Sequence, residues 1–125
     1  MKYRLLALDL DGTVLRSDGA VAPATIQAIA RARSAGLAVA LCTGRGLKEA
    51  QQVIDTLHHT GPLVLANGAL ISDPISRKTL HRATMEPHVS MPVIDALNEG
   101  DDAVLVLLDP EVVDHDYLID RKSVV

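Results

Sequence analysis

Residues 5–15 read LLALDLDGTVL, an apolar run that ends in two aspartates, a glycine and a threonine. The apolar part predicts a buried strand that carries acidic side chains at its end. Because Asp9 and Asp11 are two positions apart, their side chains leave the same face while the backbone stays extended. Two carboxylates this close repel each other unless a hard cation with oxygen ligands, such as Mg²⁺, joins them. Gly12 then allows a sharp turn or a close backbone approach to a ligand.

The composition favours one aliphatic α/β domain. The 125 residues are 48% hydrophobic but only 2% aromatic, so the core must consist of Leu, Val, Ile and Ala, which suits buried parallel strands. A net charge of −4 provides no basic field for nucleic acid or an anionic membrane surface. No stretch reaches the length of a membrane span. Cys42 is the single cysteine, which excludes an internal disulfide and indicates a reducing cytoplasm.

The first half of the chain alternates strands and helices. The pattern predicts strands at residues 3–8, 37–42 and 63–66 and helices at residues 23–35 and 47–59. A strand–helix–strand unit crosses over with a right hand and makes its strands parallel, so the first two strands end at the same edge. Thr43, Gly44 and Arg45 follow the second strand directly. We therefore expect them near Asp9 and Asp11, at the edge where open α/β sheets bind ligands.

The pattern changes after residue 68. Residues 69–72 and 79–84 predict the two arms of a hairpin. A helix is predicted from Ser90 or Met91 to Asn98, because Pro92 is tolerated only in a first turn. Residues 103–108 predict a further strand, with which residues 112–119 pair back.

Three motifs in this order resemble a known family. Asp9–Leu15 is similar to the DxDGTxL signature of haloacid dehalogenase-like (HAD) phosphatases, and LCTGR at 41–45 with ANGA at 66–69 resembles the Cof-type, sugar-phosphatase-like branch. The resemblance implies an α/β fold in which residues 1–72 form a partial, Rossmann-like HAD core and residues 73–125 begin an α/β cap. The later lysine motif and GDxxND-like motif of the family have no counterpart here. The resemblance therefore implies a chain truncated within the cap.

The resemblance also implies roles for individual residues. Asp9 matches the nucleophile that forms an aspartyl-phosphate, and Asp11 matches the general acid/base. Thr43, Gly44 and Gly12 match the positions that bind the transferring phosphoryl group. Mg²⁺ would be held by Asp9, by the backbone carbonyl of Asp11 and by a later acidic residue that this chain lacks. The implied substrate is a small phosphorylated metabolite such as a sugar phosphate.

Each of these residues also has a purely structural interpretation. Asp9 could cap a loop, Asp11 could be an exposed turn residue, and Thr43 could be a helix N-cap. Arg45 either pairs with a substrate phosphate or faces solvent. Asn67 either lines the mouth of the site or only forms an Asn-Gly turn.

The remaining titratable residues are expected to be structural. His58 and His59 are adjacent on a predicted helix, which is poor geometry for a shared metal, and they predict a solvated helix end. Asp101–Asp102 and Asp114–Asp116 are predicted to be solvated turns.

Several functional classes remain open from the sequence. An enzyme that is weak or inactive as this short chain competes with a non-catalytic phosphate or magnesium binder and with an inert fragment. A receiver-like phosphoacceptor also uses acidic residues on a doubly wound sheet, but DxDGTxL and the cap-like hairpin argue against it. The resemblance implies that the family's strands on the other side of the first strand are not encoded here, so we expect an exposed edge that promotes self-association.

Overall fold

The computed structural model describes residues 2–100 and 103–120. Its strands are β1 (Leu5–Asp9), β2 (Ala38–Cys42), β3 (Leu63–Leu65), β4 (Leu70–Ser72), β5 (Thr79–Arg82), β6 (Val104–Leu107) and β7 (Tyr117–Asp120). Its α-helices are α1 (Pro23–Ser34), α2 (Leu47–Thr56), α3 (Pro87–Asn98) and the single turn α4 (Pro110–Val113). A 3₁₀ turn at Ala66–Gly68 joins β3 to β4.

The five strands of the first sheet lie in the order β1-β2-β3-β4-β5. β1, β2 and β3 are parallel, and Asp9 is the register partner of Cys42. β4 and β5 continue the sheet as an antiparallel hairpin. The predicted α/β class is thus confirmed, and the parallel part is the strand–helix–strand unit that the sequence indicated.

The core is aliphatic and lies mainly between the sheet and α2. Leu10, Leu41, Leu63 and Leu65 are the largest apolar side chains that are almost fully buried. One face of α2 adds Leu47, Ala50, Val53 and Ile54, which is the 3.6-residue spacing of an amphipathic helix. The core fixes the carboxyl ends of β1 and β2, where the acidic residues lie.

β1 is an edge strand rather than the predicted buried one. It pairs only with β2, and its residues alternate between exposed and half-buried, with Leu5 59% exposed. The prediction of a buried strand was wrong because an apolar sequence does not supply a second neighbour. The prediction of an exposed sheet edge is confirmed.

α2 ends three residues earlier than predicted, and a side chain of α1 binds the residues that follow it. α2 ends at Thr56, and His58 has a positive φ of 45° that turns the chain back. The Arg33 guanidinium donates to the carbonyl of Leu57 and lies 2.7 Å from Nδ1 of His59. His59 is only 4% exposed, so its predicted solvation was wrong.

α3 begins earlier than predicted. Pro87 occupies the first helical position, where its fixed φ suits a helix start, and Glu86 is the extended N-cap. Pro92 consequently lies inside the helix and removes one intrahelical hydrogen bond. The prediction that Pro92 marks the first turn was wrong.

β6 and β7 form a separate two-stranded antiparallel sheet. Pairing is confirmed for residues 117–119, but residues 112–116 were wrongly assigned to the strand. Asp109 caps α4 by accepting from the amide of Glu111, and Asp114 ends that turn with a φ of 56°. Residues 110–113 therefore form a capped helical turn and do not pair with β6.

The domain division at residues 72 and 73 stays a prediction, since β4 and β5 belong to the same sheet as β3.

The second half leaves apolar surface uncovered. Within the described residues, no side chain of α3 is buried, and Leu105, Leu118 and Ile119 are each about half exposed. A mainly apolar cavity of about 520 Å³ lies between α3 and β6. Among the described helices, none is long and apolar enough to cross a membrane.

We predict that the free energy of unfolding decreases as the pH falls below about 6.5. Burial lowers the pKa of His59, and the Arg33 cation adds to this effect. The unfolded chain takes up a proton at this imidazole near the ordinary pKa of 6.5, whereas the folded protein takes it up only at lower pH. Acid therefore favours the unfolded state in this window. Urea unfolding at several pH values between about 5 and 7.5 measures the effect.

His58 provides a matched control because it is the exposed neighbour. His59→Gln should flatten the pH dependence, and His58→Gln should retain it. A dependence that is equally steep in His59→Gln would contradict the role of the buried imidazole.

Candidate active site

Three loops meet at the carboxyl edge of the parallel strands. Asp9 is the register partner of Cys42, the last residue of β2, so Thr43 begins the loop directly after that partner. The Thr43 amide donates to the carbonyl of Val64 on β3, and the Thr43 carbonyl accepts from the amide of Asn67. Backbone hydrogen bonds therefore fix the loop after β2 against the loop after β3.

The loop after β1 exposes both aspartates. Leu10, between them, is fully buried, whereas Asp9 and Asp11 are exposed. The carbonyl of Asp9 accepts from the amide of Val14, which closes the loop. Gly12 has a φ of +75°, a conformation that favours glycine, and open space where a Cβ would lie. The backbone turn rather than lack of room thus requires glycine here.

Asp11 and Arg45 form a two-pronged ion pair. Arg45 Nε donates to Asp11 Oδ2 at 3.0 Å, and Arg45 Nη2 donates to Asp11 Oδ1 at 2.7 Å. Hydrogen bonding to Arg45 lowers the pKa of Asp11 because it favours the ionised form. The Arg45 guanidinium is therefore paired with Asp11 and does not simply face solvent.

Asp9 differs from Asp11 in having no such partner. Within residues 2–100 and 103–120, no side chain forms a hydrogen bond or ion pair with the Asp9 carboxylate. It does not cap its own loop through its side chain. The exposed carboxylate is thus available to an external group.

Thr43 is buried at the start of the second loop. Its exposure is 6%, and its hydroxyl accepts from the amide of Arg45 at 3.1 Å. The N-cap of α2 is Gly46. The interpretation of Thr43 as that N-cap was therefore wrong, because the chain makes one more turn before the helix begins.

Gly44 and Asn67 lie against each other. A Cβ on Gly44 would lie 2.9 Å from Asn67 Oδ1, so a side chain there would force Asn67 to move. Asn67 has a φ of 54°, the left-handed conformation that Asn tolerates better than most residues. The structure thus brings Asn67 beside the Thr43–Gly44 loop.

The prediction of a solvated turn at residues 114–116 is correct for Asp114 and wrong for Asp116. Asp114 is exposed, as predicted, but Asp116 is only 4% exposed and accepts from the Glu49 amide of α2 at 2.9 Å. The sequence signal that could have indicated this contact is Gly46 at the N-cap of α2, because a glycine has no side chain that can cap the helix. Asp101 and Asp102 lie outside the described residues.

Among the described residues, the side chains around Asp9 and Asp11 do not form a complete metal-binding site. In the part of the chain that the structure describes, no group of three or more His, Cys, Asp or Glu side chains could jointly hold a metal ion. The predicted pair of Asp9 and Asp11 thus supplies at most part of a ligand set.

A sequence profile of the haloacid dehalogenase-like hydrolase family matches residues 6–123. The match covers nearly the whole chain, and the sheet is that of solved hydrolases of the family. The chain therefore belongs to the haloacid dehalogenase-like hydrolases.

Individual relatives place it within that family. It is 32% identical over 113 residues to the pyridoxal phosphate phosphatase YbhA of Escherichia coli, covering 90% of this chain and 42% of that protein. It is 32% identical over 94 residues to the 5-amino-6-(5-phospho-D-ribitylamino)uracil phosphatase YwtE of Bacillus subtilis, covering 75% of this chain and 32% of that protein. A HAD/COF-like hydrolase from Plasmodium vivax has a similar structure, with a TM-score of 0.64 and 32% identity over 78% of this chain and 36% of that one.

These matches confirm the assignment to the Cof-type branch. The chain spans less than half the length of each of these proteins.

We predict that Arg45→Gln raises the pKa of Asp11 toward its ordinary value of 3.8. The substitution removes the two charge-assisted hydrogen bonds that favour the ionised carboxyl. Carbon-detected NMR titration of the Asp11 carboxyl measures the shift. Arg16→Gln is the control, because Arg16 pairs with Asp18 and not with Asp11. An unchanged Asp11 titration in Arg45→Gln would contradict the ion pair.

Proposed function

We propose that this sequence encodes part of a phosphatase that hydrolyses small phosphate monoesters, such as sugar phosphates, through an aspartyl-phosphate on Asp9. The observation that carries the proposal is the exposed Asp9 carboxylate, which has no side-chain partner among the described residues and whose register partner, Cys42, directly precedes Thr43. Membership of the hydrolase family and two relatives named as phosphatases support it.

The proposed reaction has two steps. An oxygen of Asp9 attacks phosphorus, the bond from phosphorus to the ester oxygen breaks, and the leaving alcohol takes a proton from Asp11. Water then attacks the aspartyl-phosphate and gives a proton to Asp11, which releases inorganic phosphate and restores the Asp9 carboxylate. The proton that Asp11 loses to the alcohol in the first step is thus replaced by one from water in the second.

The ion pair of Asp11 with Arg45 matters for this scheme. It favours the ionised carboxylate, whereas the first step requires Asp11 to carry a proton. A substrate phosphate that took over the Arg45 guanidinium would leave Asp11 without its partner. We therefore assign Arg45 to substrate binding through an exchange of its two hydrogen bonds from Asp11 to phosphate.

The phosphate itself would be held by the two loops. The Thr43 hydroxyl and the Gly44 amide lie on one side, and the Gly12 turn allows the backbone of the first loop to approach from the other. Gly44 has no side chain to obstruct the phosphate, and Asn67 lies directly beside it. We accordingly propose that Asn67 lies at the rim of this site.

Mg²⁺ fits the donors that the structure offers. The Asp9 carboxylate is exposed and free of any partner among the described residues, and oxygen is the ligand type that Mg²⁺ prefers. The Asp11 backbone carbonyl would be the second ligand. A bound Mg²⁺ would offset the negative charge that Asp9 and the phosphoryl oxygens bring together.

A second candidate is binding of phosphate and Mg²⁺ without turnover. Phosphoryl transfer needs positive charge that stabilises the transition state, and the positions of two lysines favour this second candidate. Lys48 forms an ion pair with Asp114, and Lys78 lies in the turn between β4 and β5. We infer that neither of these two lysines replaces the lysine of the family's later motif. The chain alone should therefore have weak activity at most.

We predict that Mg²⁺-dependent phosphate release, assayed with pyridoxal phosphate, a sugar phosphate and p-nitrophenyl phosphate, is abolished in Asp9→Asn. Asp11→Asn should reduce it about 10²- to 10⁴-fold, the usual contribution of general acid–base catalysis. Asp18→Asn is the control, because this exposed carboxylate pairs with Arg16. Equal turnover by wild type and Asp9→Asn would contradict the nucleophile.

Calorimetric titration with Mg²⁺ and inorganic phosphate separates the two candidates. Binding without turnover favours the non-catalytic binder, and binding with turnover favours the enzyme. A chain that neither binds nor turns over would contradict both for this length of sequence.

We also propose that copies of the chain associate through β1 in a reducing cytoplasm. The free edge of β1 offers unpaired backbone groups, and Tyr3 and Leu5 are largely exposed there. Cys42, the single cysteine, is a free thiol, in keeping with a reducing compartment.

We predict that Leu5→Lys shifts the sedimentation profile toward monomer, because a charge on an edge strand disfavours pairing with another chain. Leu80→Lys is a matched control, since Leu80 is similarly exposed on β5 at the other edge of the sheet. A wild-type chain that sediments as a sharp monomer would contradict self-association. An equal effect of both substitutions would contradict the choice of β1.

A further inference from the structure

The first turn of α2 is capped by a residue that is distant in sequence. A helix leaves its first amides without intrahelical partners, and an N-cap side chain usually accepts from one of them. Gly46 has no side chain, and Glu49 reaches back only to the Gly46 amide, at 3.1 Å. Asp116, 67 positions beyond Glu49, accepts from the Glu49 amide at 2.9 Å. Asp116 thus does what a Ser or Asp at position 46 would do locally.

Gly46 also provides the space for this side chain. A Cβ at Gly46 would lie 2.5 Å from Asp116 Oδ2 and closer still to two of its carbon atoms. Gly46 itself has a φ of −79°, which any residue adopts, so glycine is not required by the backbone. The room it leaves is filled by Asp116. We name this arrangement of Asp116 against Gly46 and the Glu49 amide the Asp116 contact.

Neighbouring bonds hold the segment around Asp116 in place. The Asp116 carbonyl accepts from the Leu108 amide at 2.7 Å, which ties it to the end of β6. Lys48 forms an exposed ion pair with Asp114, at 2.9 Å between Nζ and Oδ1. The segment that follows α4 is therefore docked on the start of α2 at two points.

The contact is nevertheless incomplete. Asp116 Oδ1 is buried and has no hydrogen-bond partner among the described residues. A buried carboxylate oxygen without a partner carries a desolvation cost that opposes docking. The helix N-terminus and one amide favour the docked carboxylate, and the unpaired oxygen opposes it. The docked carboxylate is thus subject to one favourable and one unfavourable contribution.

The proposed phosphate site lies directly upstream. Gly44 and Gly46 are two residues apart, at most about 7 Å of backbone. A phosphate at Thr43 and Gly44 and the Asp116 carboxylate would therefore be two anions near the same positive helix terminus. Like charges at this separation repel.

We infer that Asp116 is an internal anionic competitor whose docking on α2 and phosphate binding at Thr43–Gly44 oppose each other. Docking weakens phosphate binding, and bound phosphate releases the segment that contains Asp116. Because the coupling is thermodynamic, each effect must equal the other in size. The coupling rests on the proposed phosphate site, whereas the Asp116 contact itself does not.

Two variants of the full chain remove the contact from opposite sides. Asp116→Asn keeps the shape and removes the charge, and Gly46→Ala fills the space that Asp116 occupies. Asp114→Asn is the matched control, because it removes only the exposed ion pair with Lys48. Circular dichroism and thermal unfolding establish that each variant is folded.

Hydrogen exchange of the Glu49 amide, measured by NMR, tests the contact without any ligand. We expect protection of this amide to fall about tenfold in Gly46→Ala, as for loss of a hydrogen bond to a charged acceptor, and to persist in Asp114→Asn. Undiminished protection in a folded Gly46→Ala would overturn the contact.

Titration with inorganic phosphate tests the coupling. We expect Asp116→Asn to bind phosphate about three- to tenfold more tightly than wild type, and phosphate to accelerate exchange of the Glu49 amide in wild type. Unchanged affinity in a variant that does bind phosphate would overturn the coupling. Absence of phosphate binding in every variant would contradict the proposed function, and the coupling with it, while the Glu49 exchange result still decides the contact.

Discussion

Parallel pairing of β1 with β2 is the constraint on which the site depends. The register that joins Asp9 to Cys42 determines which residues of the two following loops can meet. Shifting β1 by a single residue would turn Asp9 to the opposite face of the sheet. β3 then holds the second loop in place, since Val64 accepts from the Thr43 amide. The chemistry at this edge is therefore a consequence of strand register more than of any single side chain.

The charges at this edge are distributed unevenly. Asp11 is neutralised by Arg45 and the start of α2 is occupied by Asp116, whereas Asp9 has no partner among the described residues. Without substrate, two of the three carboxylates are thus engaged with positive groups of the protein itself. The remaining carboxylate is the one best placed to act on an external group. In the proposed mechanism, this arrangement separates the nucleophile, Asp9, from the carboxylates that respond to the charge of a ligand.

The sequence predicted the local elements and the loops of the site well, because both depend on short-range patterns. The strand–helix–strand alternation and the amphipathic spacing of α2 follow from periodicity, and the meeting of Asp11 with Arg45 follows from the parallel pairing of β1 and β2. The failures concern long-range partners. Burial of His59 depends on Arg33 in another helix, and burial of Asp116 depends on space at Gly46, far away in sequence. The exposure of β1 reflects its place at the edge of the sheet, which the composition of a strand does not reveal.

The Asp116 contact also has a consequence for how the sequence can change over time. Gly46 and Asp116 share one small volume, so a side chain gained at position 46 excludes the carboxylate at position 116. A lineage that acquired Ser or Asp at position 46 would cap α2 locally and release position 116 from the need for an acid. A lineage that keeps Gly46 must keep an acceptor at position 116. Positions 46 and 116 should therefore covary, so that a substitution at one is accompanied by a substitution at the other.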